Sequence, residues 1–198
     1  SSAASDVYKR QEDGNQIKVK TSTGEWEVKY NALNQAVRFT QDTKRVECRY
    51  DYLNRRVEKT VYEGEMLVSR KRFIYCGFLQ LAELDAANAT ETVQPVLRKT
   101  YLWDPMESTA TRILAMTTFD ETGTYVENLF YTHDLLKNTT GLFDTQGECR
   151  ALYEYGPYGN VLRMEGNMAK DNPFRFSSEY ADDELGLSLI HISEPTRR

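Results

Sequence analysis

RYDYLNRRV, at Arg49–Val57, follows the pattern of KYNALNQAV, at Lys29–Val37, without a gap. In both stretches an aromatic residue is followed by Asp or Asn, two further residues and a second Asn, after which a new strand begins. This order is typical of a β-hairpin, in which the first Asp or Asn caps the turn backbone and the second Asn takes a left-handed conformation. The aromatic residue then packs on the sheet face, and we expect the acid of each repeat to be structural.

Weaker copies of the pattern lie at Tyr101–Pro105, Tyr131–Asn138 and Tyr153–Val161, and the turn signal Asp-x-x-Gly follows Phe119 and Phe143. No stretch carries an apolar stripe of helical period over three turns. Short aromatic and β-branched segments between regularly spaced turn residues indicate strands. The sequence therefore predicts an all-β fold of antiparallel hairpins.

Alternation and charge predict further strands between these turns. Phe78–Asp85 alternates as a strand does, and Val57–Tyr62 forms a hairpin with Met66–Tyr75 around Gly64. The basic residues of this region lie beside acids, so we expect cross-strand ion pairs on a solvated face and not a polyanion site. The basic residues are Lys44, Arg45, Arg70, Lys71 and Arg72, and the acids are Glu47, Glu58 and Glu63.

The stretch Asn172–Gly186, which reads NPFRFSSEYADDELG, concentrates aromatic and acidic residues around one arginine. If it forms a strand, Arg175 faces away from the rings of Phe174 and Phe176. We expect Arg175 to form a structural ion pair with one of the nearby acids, which are Glu179, Asp182, Asp183 and Glu184. Because Asp182 and Asp183 are adjacent, they would point to opposite faces of a strand and form a carboxylate pair only in a turn.

Both ends of the chain resemble translated sequencing adapters. Residues 1–11 read SSAASDVYKRQ and residues 187–198 read LSLIHISEPTRR. We expect both to be non-native, with the natural segment running from about Glu12 to Gly186. The apolar residues Leu189, Ile190 and Ile192 could still pair as a short strand with an open sheet edge.

The charge and composition exclude several kinds of site. A net charge of −5 without a basic stripe argues against nucleic-acid binding. No apolar run approaches the roughly twenty residues of a membrane span. The spacing of Cys48, Cys76 and Cys149 fits neither a C-x-x-C metal motif nor an even disulfide framework, so we expect free thiols. We expect no metal and no cofactor.

Three other features invite a chemical interpretation that we do not favour. His133 lacks a neighbouring Ser or Cys that would suggest a catalytic triad, and it holds the aromatic position of a repeat, so we expect it to be structural. Asp104-Pro105 is expected to be a turn. The tyrosine and tryptophan residues could stack on sugars, but their repeat positions favour packing in the sheet.

The repeats resemble the tyrosine–aspartate repeats of Rhs proteins, the large polymorphic-toxin shells of bacteria. Tyr50-Asp51-x-x-Asn54-Arg55 is similar to the family's repeat unit, and Asn172–Gly186 looks like the start of its repeat-associated core. The positions that carry the resemblance are Tyr30, Asn31, Tyr50, Asp51, Asn54, Arg55, Trp103, Asp104, Tyr155, Gly156, Gly159, Asn172, Pro173, Phe174, Arg175, Phe176, Glu179 and Tyr180.

The resemblance implies a segment of a spiralling β-shell, with repeat hairpins over 12–150 and the start of the core at 151–186. Its partners would be the remaining repeats of the chain and an enclosed C-terminal toxin, with no nucleic acid and no membrane span. The protein would be bacterial and secreted or at the cell surface. The family's self-cleaving aspartates lie beyond the matched stretch, so we expect no catalytic residue and no enzyme activity.

Two alternatives remain open. An adhesive or sugar-binding repeat protein would expose three or more Tyr or Trp side chains on one face. Alternatively, the chain is part of the self-cleaving core of the family, in which case Arg175 would anchor carboxylates near the cleavage region.

Overall fold

The computed structural model describes residues 14–106 and 112–188. The adapter-like stretch 1–11 and the strand proposed for Leu189, Ile190 and Ile192 lie outside these residues. The described part contains fifteen strands and one short 3-10 helix, Phe176–Ser178. The strands are β1 Lys18–Thr21, β2 Gly24–Tyr30, β3 Ala36–Gln41, β4 Lys44–Tyr50, β5 Arg56–Glu63, β6 Met66–Cys76, β7 Leu79–Asp85, β8 Val96–Trp103, β9 Ile113–Phe119, β10 Tyr125–His133, β11 Thr139–Phe143, β12 Cys149–Tyr155, β13 Val161–Glu165, β14 Ala181–Asp182 and β15 Leu187–Ser188.

Strands β1 to β13 lie in sequence order in one sheet, and β14 pairs with β15. The registers between consecutive strands are antiparallel, as from β2 to β6 and from β8 to β13. The predicted all-β fold of antiparallel hairpins is therefore confirmed. The strand predicted at Phe78–Asp85 is β7, and β5 and β6 form the hairpin predicted around Gly64.

Six hairpins turn through the same backbone structure. In the turn after Tyr50, Asp51 N donates to Arg55 O at 3.0 Å, and Asn54 N donates to Asp51 O at 3.1 Å. Asn54 has a φ of +63°, the left-handed conformation that lets the chain reverse in so few residues. The same pair of bonds forms where the first turn residue is Asn31, Asp51, Asp120, Asp134, Asp144 or Gly156.

The first side chain of the turn caps its backbone. Asp51 Oδ1 accepts hydrogen bonds from the N–H groups of Leu53 and Arg55, each at 3.0 Å. Partial burial raises the pKa of Asp51, but the hydrogen bonds from Arg55 and Leu53 outweigh it and hold the pKa below its ordinary value. The equivalent caps belong to Asn31, Asp120, Asp134 and Asp144.

One turn departs from the predicted residue order. After His133 the left-handed residue is Lys137, with a φ of +64°, and not the second Asn of the pattern. Asn138 is buried and donates from Nδ2 to Asp134 Oδ2 at 2.7 Å. The left-handed residue Lys137 is the third residue after Asp134, as Asn54 is the third after Asp51. Asn138 therefore occupies the position that Arg55 occupies in the turn after Tyr50.

Gly156 replaces the capping acid in the turn after Tyr155. A Cβ atom at Gly156 would lie 2.4 Å from Asn160 Oδ1, so the Asn160 amide occupies the space where the other turns hold their Asp or Asn side chain. Gly159 is the left-handed residue of this turn, with a φ of +82°. The first position of this turn therefore has room for a glycine and not for a larger residue.

Side chains tie the repeats at Tyr30 and Tyr50 to the segment before each of them. Tyr50 Oη donates to Ala36 O at 2.9 Å, and Gln35 Nε2 donates to Asn54 Oδ1 at 2.9 Å. The same two bonds form one repeat earlier, from Tyr30 to Gln16 O and from Asn15 to Asn34 Oδ1. The aromatic residue of the repeat is thus both a packing residue and a hydrogen-bond donor.

The described residues divide into two compact units, the first formed by 14–73, 85–95 and 182–188 and the second by 74–84 and 96–181 without 107–111. The core of the first unit comprises Trp26, Val28, Ala36, Phe39, Val46, Cys48, Val61 and Leu185. The buried apolar residues of the second unit include Tyr101, Trp103, Ile113, Met116, Leu129, Tyr131, Leu142, Tyr153, Phe174 and Tyr180. In each unit a residue of the 172–186 stretch completes the core.

The predicted ion pairs form on the polar face of the first unit. Glu58 contacts Arg70 Nη2 at 3.0 Å and Arg72 Nε at 2.8 Å on the neighbouring strand. Glu47 contacts Arg38 Nη2 at 2.8 Å across β3 and β4. The prediction of cross-strand ion pairs is confirmed for Glu58 with Arg70 and Arg72, although Glu58 is buried and not solvated. The cross-strand partner of Glu47 is Arg38, which was not among the predicted residues.

Replacement of the capping acid Asp51 should destabilise the hairpin, whereas replacement of its exposed neighbour Tyr52 should not. We expect Asp51→Ala to lower the free energy of unfolding by about 1–2 kcal/mol, because two turn N–H groups lose their acceptor and Arg55 loses its carboxylate. Tyr52→Ala, at a residue 91% exposed, is the matched control and should change the value little. Denaturant unfolding measures both, and equal losses in the two variants would contradict the capping role.

Candidate functional site

The stretch 172–176 is not a strand, which corrects the prediction for this region. Phe174 makes only an isolated bridge to Tyr180, and Phe176–Ser178 is a 3-10 helix with a left-handed Ser177. Pro173 has no N–H group to donate to a ladder, and the side chain of Asn172 bonds to the backbone of Phe174 instead. The alternation that placed Arg175 opposite the two rings therefore does not apply.

Asn172 lies at the centre of a buried hydrogen-bond network in the second unit. Its Oδ1 accepts from Tyr131 Oη at 2.7 Å and from Phe174 N at 3.0 Å. Its Nδ2 donates to Phe174 O at 2.8 Å and to Tyr153 Oη at 3.2 Å. All four contacts are buried, so the amide fixes the start of the stretch against strands β10 and β12.

Phe174 fills an aromatic pocket in the same unit. Its ring centroid lies 4.8 Å from that of Tyr101, 5.0 Å from that of Trp103 and 5.7 Å from that of Tyr180, each in an edge-to-face arrangement. Trp103 Nε1 donates to Gln80 O at 2.7 Å. Burial raises the pKa of Tyr101 well above its ordinary value, so its hydroxyl stays neutral. The pocket holds the stretch by packing and offers no reactive group.

Arg175 is buried and bonds to the backbone. Its Nε donates to Asn172 O at 3.0 Å, and its Nη2 donates to Lys170 O at 3.1 Å. Of the four acids proposed as its partner, Asp182 and Glu184 pair with other cations. An ion pair of Arg175 with Glu179 or Asp183 stays a prediction.

Phe176 and the turn after Tyr155 fit each other closely. A Cβ atom at Gly159 would lie 2.8 Å from Phe176 Cδ1, and the rings of Tyr155 and Phe176 are 5.7 Å apart between centroids. Ser177 N donates to Asn138 Oδ1 at 2.8 Å. Gly159 is thus required both by its left-handed backbone and by the ring that lies against it.

Asp182 forms a buried ion cluster in the first unit. Its Oδ2 lies 2.6 Å from Arg56 Nη1 and its Oδ1 lies 2.6 Å from Lys59 Nζ, and Lys59 Nζ also contacts Glu184 Oε2 at 2.5 Å. Burial raises the pKa of Asp182, but Lys59 and Arg56 outweigh it and hold the pKa far below its ordinary value. Asp183 is exposed, so the adjacent acids separate and form no carboxylate pair.

Arg56, Lys59 and Leu185 are site residues that the sequence did not reveal. Arg56 and Lys59 stand in a strand whose charged residues all looked solvated. Their carboxylate partner follows more than a hundred residues later in the chain. The only sign of this pairing in the sequence is that neither basic residue has an acid opposite it on a neighbouring strand.

The other candidates show structural contacts. His133 is stacked on Tyr131 with ring centroids 6.1 Å apart, and burial together with Arg112 lowers the pKa of His133. Asp104 Oδ1 accepts from Met106 N at 2.9 Å, as expected of a turn. The cysteines are free thiols, with Cys48 buried and Cys76 and Cys149 exposed.

Within residues 14–106 and 112–188, no group of three or more His, Cys, Asp or Glu side chains could hold a metal ion. The same part of the chain contains no helix long and apolar enough to cross a membrane.

Comparison with known proteins gives a likeness of fold. No protein-family model matches the sequence, and no curated protein matches it. A crystal structure of TcdB2-TccC3 aligns over 88% of this chain and 9% of its own, with a TM-score of 0.62 and 17% identity. A structure of the Photorhabdus luminescens Tc holotoxin pore aligns over 90% of this chain and 8% of its own, with a TM-score of 0.66 and 17% identity. The chain thus spans less than a tenth of the length of the toxin chains that it matches.

Loss of the Asn172 amide should leave buried partners unsatisfied. We expect Asn172→Ala to lower the free energy of unfolding by about 3 kcal/mol, since two tyrosine hydroxyls and the backbone of Phe174 lose hydrogen bonds. Asn88→Ala, at an exposed loop position, is the control. A loss in Asn172→Ala no larger than in the control, measured by denaturant unfolding, would refute the network's importance.

The Asp182 cluster should give stability a defined pH dependence. The folded pKa of Asp182 lies below its unfolded pKa of about 4, so its stabilisation is complete above pH 4 and is lost as the pH falls further. At pH 7 we expect Asp182→Asn to cost about 3 kcal/mol, because the buried Arg56 and Lys59 both lose the Asp182 carboxylate and Lys59 keeps only that of Glu184. The difference from the parent should shrink below pH 4.

Urea unfolding from pH 2.5 to 7 tests this expectation, with Asp183→Asn as the matched exposed control. A deficit of Asp182→Asn that stays constant across this pH range would contradict it. The apolar triple variant Arg56→Met, Lys59→Met and Asp182→Leu should recover much of the loss at pH 7.

Proposed function

We propose that this chain is a non-catalytic wall segment of an Rhs-type toxin shell that encloses a C-terminal effector. The observation that carries the proposal is the fold shared with TcdB2-TccC3 structures over 88% of the chain. One such structure is described as lacking the hypervariable C-terminal region of TccC3, and this chain matches it with a TM-score of 0.62. The matched part is thus separate from that variable region.

The physical basis of the wall is a sheet extended one hairpin at a time. Six hairpins share one turn, five of them with a side-chain cap, and the repeats at Tyr30 and Tyr50 bond to the segment before them, so the strip can grow by whole hairpins. The partners are the remaining repeats of the same polypeptide and the enclosed effector. The protein that contains the segment is secreted or at the cell surface of a bacterium.

The aspartates that could be taken for catalytic acids have structural roles. Asp51, Asp120, Asp134 and Asp144 cap turns, and Asp182 neutralises Arg56 and Lys59. Each of these carboxyls has a lowered pKa and is therefore ionised at neutral pH. A general acid would need a raised pKa, so these contacts support a wall without catalysis.

The aromatic residues favour the wall over a sugar-binding surface. Both tryptophans and seven other aromatic side chains are buried, whereas a stacking platform would expose them on one face. Of the described Tyr and Trp residues, only Tyr52, Tyr125 and Tyr158 are exposed, and each lies at or beside a different hairpin turn. The buried aromatic residues are Trp26, Phe39, Phe73, Tyr101, Trp103, Tyr131, Tyr153, Phe174 and Tyr180.

Cryo-electron microscopy of the polypeptide encoded by the uninterrupted reading frame tests the proposal. We expect a hollow particle whose C-terminal segment resists protease until the particle is opened with denaturant. A rod or open sheet, with a C-terminal segment digested at once, would overturn enclosure. A C-terminal fragment released without added protease would show self-cleavage and would favour the alternative that this chain is part of a self-cleaving core.

A further inference from the structure

A groove of about 630 Å³ crosses the first unit on the polar face of strands β2 to β6. On β4, Glu47 lies between the buried residues Val46 and Cys48, so its side chain points to the face opposite the core. Consecutive register partners form one row across the five strands. The row comprises Lys29, Arg38, Glu47, Thr60 and Arg70.

The groove is positively charged in a chain of net charge −5. Its lining includes four basic side chains, Lys29, Arg38, Arg49 and Arg70, and two acidic ones, Glu47 and Glu58. Arg45 and Arg72 stand beside it and contact the same two acids. The cross-strand ion pairs therefore leave an excess of positive charge on this face.

Glu58 shows how this excess arises. Its carboxylate lies within 3.6 Å of Arg49 Nε, 3.0 Å of Arg70 Nη2 and 2.8 Å of Arg72 Nε. The Glu58 side chain is 8% exposed, whereas that of Arg49 is 76% exposed. One buried carboxylate cannot neutralise three guanidinium groups, and Arg49 can offer N–H donors to a second anion.

We propose that this groove binds an extended acidic peptide segment of a partner protein. The five strands span about 19 Å, which is the length of about six residues of an extended peptide. Guanidinium groups on this face present paired N–H donors that match carboxylates. The binding chemistry is independent of whether the chain forms the wall of a shell.

The groove suits a peptide better than a nucleic acid. Single-stranded nucleic acids are held by aromatic side chains that stack on bases. Two aromatic residues, Tyr30 and Tyr62, line the groove. The ring of Tyr62 is covered, because Arg45 Cζ lies 4.3 Å above it, and Tyr30 packs against the core and donates to Gln16 O. Glu47 and the negative charge of the whole chain also oppose a long polyphosphate.

Fluorescence anisotropy with labelled hexaglutamate, added to the full chain at 50 mM salt, tests the proposal. We expect saturable binding that weakens with added salt, and about tenfold lower affinity in the double variant Arg38→Ala and Arg49→Ala. The control is Arg163→Ala, because its side chain is 45% exposed and it pairs with acids in the second unit. Lys29→Ala is a second test variant that removes no described ion pair.

The outcomes separate the alternatives. Loss of affinity in the groove variants, with Arg163→Ala unchanged and thermal unfolding preserved, supports the proposal. Equal losses in the groove variants and the control would show non-specific attraction and overturn it. Tighter binding of a labelled oligothymidine than of hexaglutamate would assign the groove to nucleic acid. If neither ligand binds, the proposal of a peptide site is wrong.

Discussion

Six hairpins of the described sheet depend on one type of turn, closed by two backbone hydrogen bonds around a left-handed residue. Because this turn is short, the two strands that it joins must pair with each other, and in these hairpins the sheet order follows the sequence. The residue at the capping position varies: a carboxylate caps the turn at Asp51 and an amide at Asn31, whereas at Gly156 the side chain of Asn160 occupies the space of the cap. What is constrained is the space beside the turn, more than the identity of the residue that fills it.

The 172–186 stretch is held by two different kinds of interaction. In the second unit Asn172 and Phe174 are fixed by neutral hydrogen bonds and aromatic packing. In the first unit Asp182 is fixed by two buried cations and Leu185 by apolar contacts. Of these two sets of contacts, we expect only the ion cluster of Asp182 to change its contribution to stability as the pH falls below 7.

The repeat pattern was readable because its cause is local. A turn needs its capping residue and its left-handed residue within four positions, so Asp51 and Asn54 identify it directly. The conformation around Arg175 was not readable, because an Asn-Pro turn interrupts an apparent alternation. The pairing of Asp182 with Arg56 and Lys59 was hidden for another reason: its partners are distant in the chain, and a charged residue in a strand usually faces solvent.

The bonds from the hydroxyls of Tyr30 and Tyr50 give the first repeats a nearest-neighbour character. Tyr50 bonds to Ala36, and Tyr30 bonds to Gln16, so each of these two hairpins is tied to the segment before it. Removal of one whole repeat would bring equivalent partners together and shorten the strip without changing its register. The length of such a strip is therefore set by the number of hairpins that it contains.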